Sequence, residues 1–301
     1  MSVTQLNPVW ADAAAYVELL NLGFPGQWNR AAFEWYLRRE FAGQRTDIAV
    51  RSDQFRMLSV AAYCYRQVRD PSGRCVKVCV MAAGATLPSE RGRGHYSALL
   101  QTGLELCREH ACAALLGFTT RQNASARGLL RLGAYAIPSF YIVSDPRIAL
   151  RRGTEPRPLR AVEQVRQESY QGRSGEVQFH YAARRDWLEQ FVQRPNAVSA
   201  WRVSHDSTAL IETVGSTDRL QWLGCPRRKA VASIAALASA SACAQRRFFM
   251  YTLDPLLAAA AGRLGLAIRG GFVLVLPIDR TKADLGELLT APWGLQSGDR
   301  M

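Results

Sequence analysis

The sequence predicts an α/β chain in which one order of elements occurs twice. Three observations carry this. Apolar runs of strand length, "TDIAVRS", "RMLSVAAYCYRQV" and "CVKVCVMAAGATL", follow one another, and "RDPSG" (Arg69 to Gly73) supplies turn chemistry between the last two. Helical spacing of apolar residues, at Tyr96, Leu99, Leu100 and Leu104, then begins at a glycine-rich corner. Finally, a strand, corner, helix, strand, helix and strand appear in the first half and again in the second.

In order, two helices ("AAAYVELLNLGF", "RAAFEWYLRREF") precede the three strands. After the corner come a helix to about His110, a buried strand "CAALLGFTT" and a helix from about Asn123 to Leu132. Gly133 is the expected cap, and the strand "AYAIPSFYIVS" follows. The Pro- and Arg-rich run "DPRIALRRGTEPRPLR" breaks the pattern. The second copy runs through "RLQWLG", a corner "CPRR", the helix "KAVASIAALASASACA", the strand "RRFFMYTL", the helix "DPLLAAAAGRL", Gly265 and the strand "LAIRGGFVLVLP". The expected division is therefore a domain at 1–145, a linker at 146–158, a second domain at 159–280 and a tail at 281–301.

A chain of 301 residues can bury one large core or two ordinary ones. The net charge is +13, and only Lys77, Lys229 and Lys282 among the 38 basic residues are lysines. A GC-rich genome accounts for such arginine usage; a guanidinium also matches phosphate oxygens. The charge is spread along the chain with no basic block, so no nucleic-acid partner is expected. No apolar run is long enough to span a membrane, and the first residues lack a basic start followed by an apolar block, so no membrane partner and a cytoplasmic location are expected. The seven cysteines include no C-x-x-C and sit mostly in apolar segments. Reduced, buried thiols are expected, with no metal site.

The corner "TLPSERGRGHYSALL" (Thr86 to Leu100) carries the chemistry. Glycines between a strand and a helix let backbone N–H groups point into a concavity, and the helix start adds partial positive charge. Arg91 and Arg93 strengthen that field. The arrangement asks for an anion, and a phosphate is expected. A dinucleotide fingerprint would need a third glycine where Ser97 stands, and the P-loop lysine is missing.

Arg91-Gly92-Arg93-Gly94-His95-Tyr96, after a strand and opening a helix, resembles the Q/R-x-x-G-x-G/A motif of the GCN5-related N-acetyltransferases. Arg91 and Gly94 match; Tyr96 stands where the family has Gly or Ala. "RQNASARGLLRLGA" resembles the family's later helix, with Asn123 and Gly133 fitting. The resemblance covers 40–145 well and 155–278 by order of elements. It implies two tandem acyl-CoA N-acyltransferase-like domains, each a mixed, mostly antiparallel sheet flanked by helices, the second degenerate. It implies acetyl-CoA as acyl donor and no metal. Its contacts would be Thr86, Leu87, Arg91, Gly92, Arg93, Gly94, His95, Tyr96 and Asn123. His95 is expected to touch phosphate or face solvent.

Acyl transfer from a thioester to an amine needs a neutral, positioned amine and a polarised carbonyl. Gly84, inside the cofactor strand, is expected to mark a bulge that admits the pantetheine arm. In the family the leaving thiolate receives a proton from a tyrosine on the Asn-headed helix. The matching place here is Leu130 or Leu129, and neither can donate. Tyr135, Tyr141 and Ser125 are the substitutes considered. Glu34 and Tyr36 are candidates for the base, within an aromatic stretch, "FPGQWNRAAFEWYLRREF", that walls an acceptor pocket or belongs to the core. The expected function is N-acetyl transfer to a small amine (an amino sugar, an amino acid or an antibiotic-like metabolite). A protein acetyltransferase and a non-catalytic acyl-CoA binder are the alternatives. Pro226 removes an amide from the second corner, so only the first copy is expected to bind CoA. The second would shape the acceptor site or a homo-oligomer interface.

Overall fold

The computed structural model describes residues 2–24, 28–38, 40, 45–54, 56–144, 155–165, 175–279 and 285–294. The chain begins with β1 (Val3–Leu6), α1 (Ala13–Gly23) and a short α2 (Arg30–Phe33) that runs into a π-helical turn at Glu34–Arg38. Then come β2 (Thr46–Asp53), β3 (Arg56–Arg69), β4 (Cys75–Thr86), α3 (His95–Glu109), β5 (Ala114–Thr120), α4 (Ala124–Arg131) and β6 (Tyr135–Val143). Beyond it lie β7 (Arg157–Pro158), β8 (Gln178–Phe179), α5 (Arg184–Val192), β9 (Val198–Ser204), β10 (Ser207–Val214) and β11 (Thr217–Gly224). The chain closes with α6 (Ala230–Cys243), β12 (Arg247–Thr252), α7 (Pro255–Arg263), β13 (Ala267–Pro277) and α8 (Glu287–Thr290).

The helix starts follow from their caps. Asp12, Asn29, Asn123 and Asp254 each accept a backbone N–H of the first turn they head, which satisfies donors the helix itself cannot. Gly133 and Gly265 take positive φ (89° and 86°) just past α4 and α7, as expected of capping glycines. Gly73 does the same in the turn between β3 and β4, where its N–H bonds Asp70 C=O at 2.9 Å.

The chain divides into two compact units: residues 1–69, 74–137 and 273–289, and residues 70–73, 138–272 and 290–301. This differs from expected boundaries at 145 and 280, because β6 and β13 are each split part-way along. Phe140 to Val143 pair with β12 in the second unit. The last half of β13 lies beside β5 in the first, with Ile278 N–H bonded to Ala113 C=O at 3.0 Å. The expected linker falls largely outside the described residues; its end forms β7, which pairs with β9.

In the first unit β1 to β4 form an antiparallel ladder and β5 joins β4 in parallel. Val78, Cys79, Val80 and Met81 are all buried, as a central strand covered on both faces requires. One core packs Tyr16, Leu19 and Leu20 of α1 and Phe33 and Leu37 against Ile48, Val50, Val60 and Ala62. On α3, Gly103 lies against the Tyr63 ring, which is fully buried and donates its hydroxyl to Leu99 C=O.

The second unit repeats the plan. β9, β10 and β11 are antiparallel and β12 joins β11 in parallel. The core joins Ile142, Ile211 and Leu220 to Ile234, Leu237 and Phe248. Between β10 and β11, Gln221 is an extra residue in the register, and its side chain donates to the fully buried Glu212 at 2.6 Å. Arg194 at 3.0 Å and Asn196 at 2.9 Å complete that carboxylate's partners. A buried carboxylate is tolerable only with such pairing.

A methyl group at Gly103 would run into a ring that burial and a hydrogen bond hold in place. Gly103→Ala should therefore destabilise the first unit by about 1–3 kcal/mol. Urea unfolding should show the midpoint falling with an unchanged slope.

Candidate functional site

β4 determines the site. Val60 faces Ala85 and Ala62 faces Ala82, so Ala83 and Gly84 together oppose Ala61. This is the bulge expected at Gly84, but the left-handed residue is its neighbour: Ala83 has φ 51°. An alanine there costs about 1 kcal/mol, which the surrounding ladder must offset. The bulge bends β4. The parallel ladder between β4 and β5 spans Val78↔Ala114 to Met81↔Gly117 and stops there. Residues 82–86 and 118–120 then run on without a ladder between them, leaving a V-shaped opening.

The glycine corner stands at the mouth of that opening. Pro88–Glu90 form one 3₁₀ turn, and Gly92 and Gly94 both take φ 80°. Nothing lies within 4 Å of a Cβ placed on either glycine, so their identity is dictated by backbone conformation and not by crowding. The first helical bond of α3 runs from Ala98 N–H to Gly94 C=O at 3.1 Å. The amides of His95, Tyr96 and Ser97 therefore have no helical acceptor, and no side chain caps them. These donors stand unsatisfied at the start of α3, with Arg91 exposed beside them.

The expected contact residues separate in this frame. Arg91, Gly92, Arg93 and Gly94 are exposed at the corner. Glu90 draws Arg93 (3.2 Å) and His95 Nε2 (3.4 Å) towards itself. His95 is only 6% exposed, so its ring does not face solvent, one of the two places expected for it. Thr86 and Leu87 are tied to β3: the Thr86 hydroxyl shares a 2.7 Å hydrogen bond with Ser59, and Leu87 N–H donates to Leu58 C=O. Asn123 uses its side-chain oxygen to cap α4 through Ser125 N–H at 3.1 Å.

Tyr96 takes a place that the sequence did not reveal. Its ring lies between Gly84 of the bulge and Gly128 of α4; Cβ atoms there would stand 3.7 and 3.1 Å from it. Its hydroxyl approaches Met81 Sδ at 3.8 Å, at the last paired residue of β4. Burial pushes the phenol pKa up to about 12, with the Ser125 hydroxyl opposing the rise. Ser125 is in turn 3.0 Å from the Thr119 hydroxyl of β5. The only sequence signal was a bulky residue where a small one was expected.

The catalytic candidates scatter. Leu129 is buried and packs on β5 at Gly117, while Leu130 is 42% exposed, so neither helix position offers a donor. Tyr141 is buried in the second unit against Tyr251. Tyr135 begins β6 and is half-buried. Tyr36 packs with Trp28 and Trp35 at the edge of the first core. Glu34 forms a 3.8 Å ion pair with Arg38 and lines a cavity of about 670 Å³ with Asp12, Val17, Trp28 and Asn29. No residue of β4, β5, α3 or α4 lines that cavity. The aromatic stretch thus divides: Trp28 lines a cavity, and Phe33 and Trp35 are core.

The second corner differs. The chain enters a 3₁₀ turn at Arg227–Lys229 and passes directly into α6. No residue of 225–229 has positive φ. Lys229 N–H bonds Pro226 C=O, and Ala230 N–H bonds Arg227 C=O. Lys229 Nζ is 2.7 Å from Asp206, whose carboxyl it holds down to about 2. Among the described residues no cluster of His, Cys, Asp and Glu could hold a metal, and no helix is long and apolar enough to cross a membrane.

Residues 14–134 match the model of the Acetyltransferase (GNAT) family. No curated protein matches the sequence. Among solved structures, a putative acetyltransferase from Pyrococcus horikoshii is similar over 100% of this chain and 96% of its own, with TM-score 0.64 and 10% identity. A tandem GNAT protein from the clavulanic acid biosynthesis pathway is similar over 91% and 98%, with TM-score 0.61 and 14% identity. N-myristoyltransferase from Saccharomyces cerevisiae, solved with myristoyl-CoA, is similar over 91% and 82%, with TM-score 0.62 and 9% identity. At these identities the likeness is one of fold. It covers both halves of the chain.

If Gly94 must be left-handed to aim the amides, Gly94→Val should lower affinity for acetyl-CoA at least about tenfold while costing about 1–2 kcal/mol of stability. Calorimetric titration beside a melting curve checks both. A folded Gly94→Val protein with unchanged affinity would remove the corner from the site.

Proposed function

We propose, for a chain that carries an Acetyltransferase (GNAT) family domain over residues 14–134, that it transfers an acetyl group from acetyl-CoA to the amine of a small molecule. The observation that carries this is the bulge-opened V between β4 and β5 with the free amides of α3 at its mouth. The donor's pyrophosphate would sit on the amides of 92–97, with Arg91 beside it. Its arm would lie along 82–86 of β4, where backbone donors face no neighbouring strand, and a β4 amide would polarise the thioester carbonyl. The acceptor nitrogen would attack from the open side. Positioning of the two reactants supplies most of the acceleration.

Two things support a small acceptor. One protein of similar fold belongs to a pathway that makes a small molecule. The cavity beside Glu34 is also of metabolite size, with Asp12 and Glu34 facing Arg30 and Arg38 in a lining of mixed charge. Amino sugars, amino acids and antibiotic-like metabolites are the classes to assay.

The first unit alone would bind the donor. Titration of the full chain with CoA should give one site per chain, and Arg91→Ala should weaken it about tenfold or more. Steady CoA release with a panel of small amines, read by a thiol assay, should follow. Two sites per chain would overturn the assignment to the first corner. CoA binding without turnover on any amine would favour a non-catalytic binder, and turnover only on peptide amines would favour a protein acetyltransferase.

A further inference from the structure

One side chain stands across the opening that the bulge creates. The Tyr96 ring bridges the gap from the bulged stretch of β4 to α4. Its Cε2 edge lies towards Gly84 and its opposite Cε1 edge towards Gly128, where added Cβ atoms would stand 3.7 and 3.1 Å away. Its hydroxyl reaches Met81 Sδ at 3.8 Å, where the ladder between β4 and β5 ends. The gap is therefore one ring wide at its inner end, and the ring fills it. Gly84 is also the middle of residues 82–86, the stretch of β4 that runs on past that ladder and along which a donor arm would lie. Ring and arm need the same place. The hold on the ring at its inner end is weak, because a thioether is a poor acceptor. Tyr96 sits in the first turn of α3, and a helical side chain has two favourable χ1 positions. The ring can therefore turn without unwinding the helix or moving the amides at its start.

We propose that Tyr96 is a gate that sets the affinity for the acyl donor: its ring closes the opening, and the arm of acetyl-CoA enters only when the ring turns out. This rests on the acyltransferase reading above and concerns how that same site is filled. The closed position is built from three elements. α3 supplies the ring, and β4 and α4 each place a glycine where a larger residue would press on it, most of all at Gly128. A ligand that binds only an open minority loses affinity in proportion to the open fraction. Removing the ring removes that loss. The glycine corner lies outside the gate, so the loss falls on the arm of the donor and not on its pyrophosphate. What closes the gap is the ring; the hydroxyl contributes little.

The test titrates the full chain with CoA by calorimetry, beside a melting curve. Tyr96→Ala should bind CoA about tenfold or more tightly than the wild type, and Tyr96→Phe should stay within about threefold of it. ADP, which carries a pyrophosphate and no arm, should bind the wild type and Tyr96→Ala alike in an NMR titration. A second measurement keeps the full-sized ring, in case Tyr96→Ala does not fold. With p-fluorophenylalanine at position 96, the fluorine shift between H2O and D2O reports the exposure of the ring, and it should rise when CoA is added to saturation. No CoA binding by the wild type, by Tyr96→Ala or by the fluorinated chain overturns the acyltransferase reading, and the gate with it. A wild type that binds CoA as tightly as a folded Tyr96→Ala variant, or more tightly, overturns the gate alone. So does a fluorine that keeps its shift in saturating CoA, because the ring would then be packing that the donor never displaces. An equal gain for ADP and CoA in Tyr96→Ala also overturns it, since the ring would then obstruct the corner and not the arm.

Discussion

The site depends on two residues opposing one. Where Ala83 and Gly84 face Ala61, β4 must bend. A parallel partner cannot follow that bend, so the ladder with β5 ends at Met81 and Gly117. The opening that results has backbone on both sides and the start of α3 at its mouth. Without the bulge, β4 and β5 would stay paired to their ends, and the amides at Gly92 to Ser97 would face a closed sheet. The left-handed Ala83 shows that the bend is held at a cost in local backbone energy. A ladder from Arg69↔Cys75 to Ala62↔Ala82 on one side and Val60↔Ala85 on the other holds it in place.

The second unit has the same device with a different result. Gln221 is extra in β11, and the ladder with β12 ends at Leu220 and Met250. The architecture is therefore repeated down to the bulge. What fills it is different. Gln221 turns inward to Glu212, which also holds Arg194 and Asn196, so the bulged residue there is spent on satisfying a buried charge. In the first unit the bulged residues are small and make no such bonds, and the space goes to the Tyr96 ring.

Much of this was legible because its causes are local. Strand runs, capping residues and the left-handed glycines at 73, 92, 94, 133 and 265 follow from periodicity and backbone preference within a few residues. The exchange at β6 and β13 was not legible. Each reads as one strand, and only Pro138 in β6 and Gly270-Gly271 in β13 mark where its halves part. The elements of 155–218 were missed because their signals are weak: α5 has Ala183 at its cap, and its buried face rests on Trp187 and Phe191 within a polar sequence. His95 reads as a loop histidine, yet its ring is drawn inside by Glu90 five residues earlier. The position of Tyr96 depends on Gly84, Met81 and Gly128, three residues from two other elements. A motif comparison could register only that its side chain was too large.

Charge does not distinguish the two corners. In each, a carboxylate takes up the nearest cations: Glu90 holds Arg93, Asp206 holds Lys229, and Asp254 lies 3.6 Å from Arg227. In each, one arginine remains exposed with no ion-pair partner among the described residues, Arg91 in the first and Arg228 in the second. A count of basic residues would rank the second corner higher. The difference lies in the backbone. At the first corner two left-handed glycines break the chain before α3, so the helix starts abruptly with its amides pointing outward. At the second a 3₁₀ turn slides into α6, its amides already bonded to Pro226 and Arg227 carbonyls. Side-chain cations at a surface are screened and can be neutralised by any nearby carboxylate. Backbone dipoles cannot be paired away without changing the fold. What sets the first corner apart therefore rests with Gly92 and Gly94, which leave the first amides of α3 without acceptors, and not with the arginines beside them.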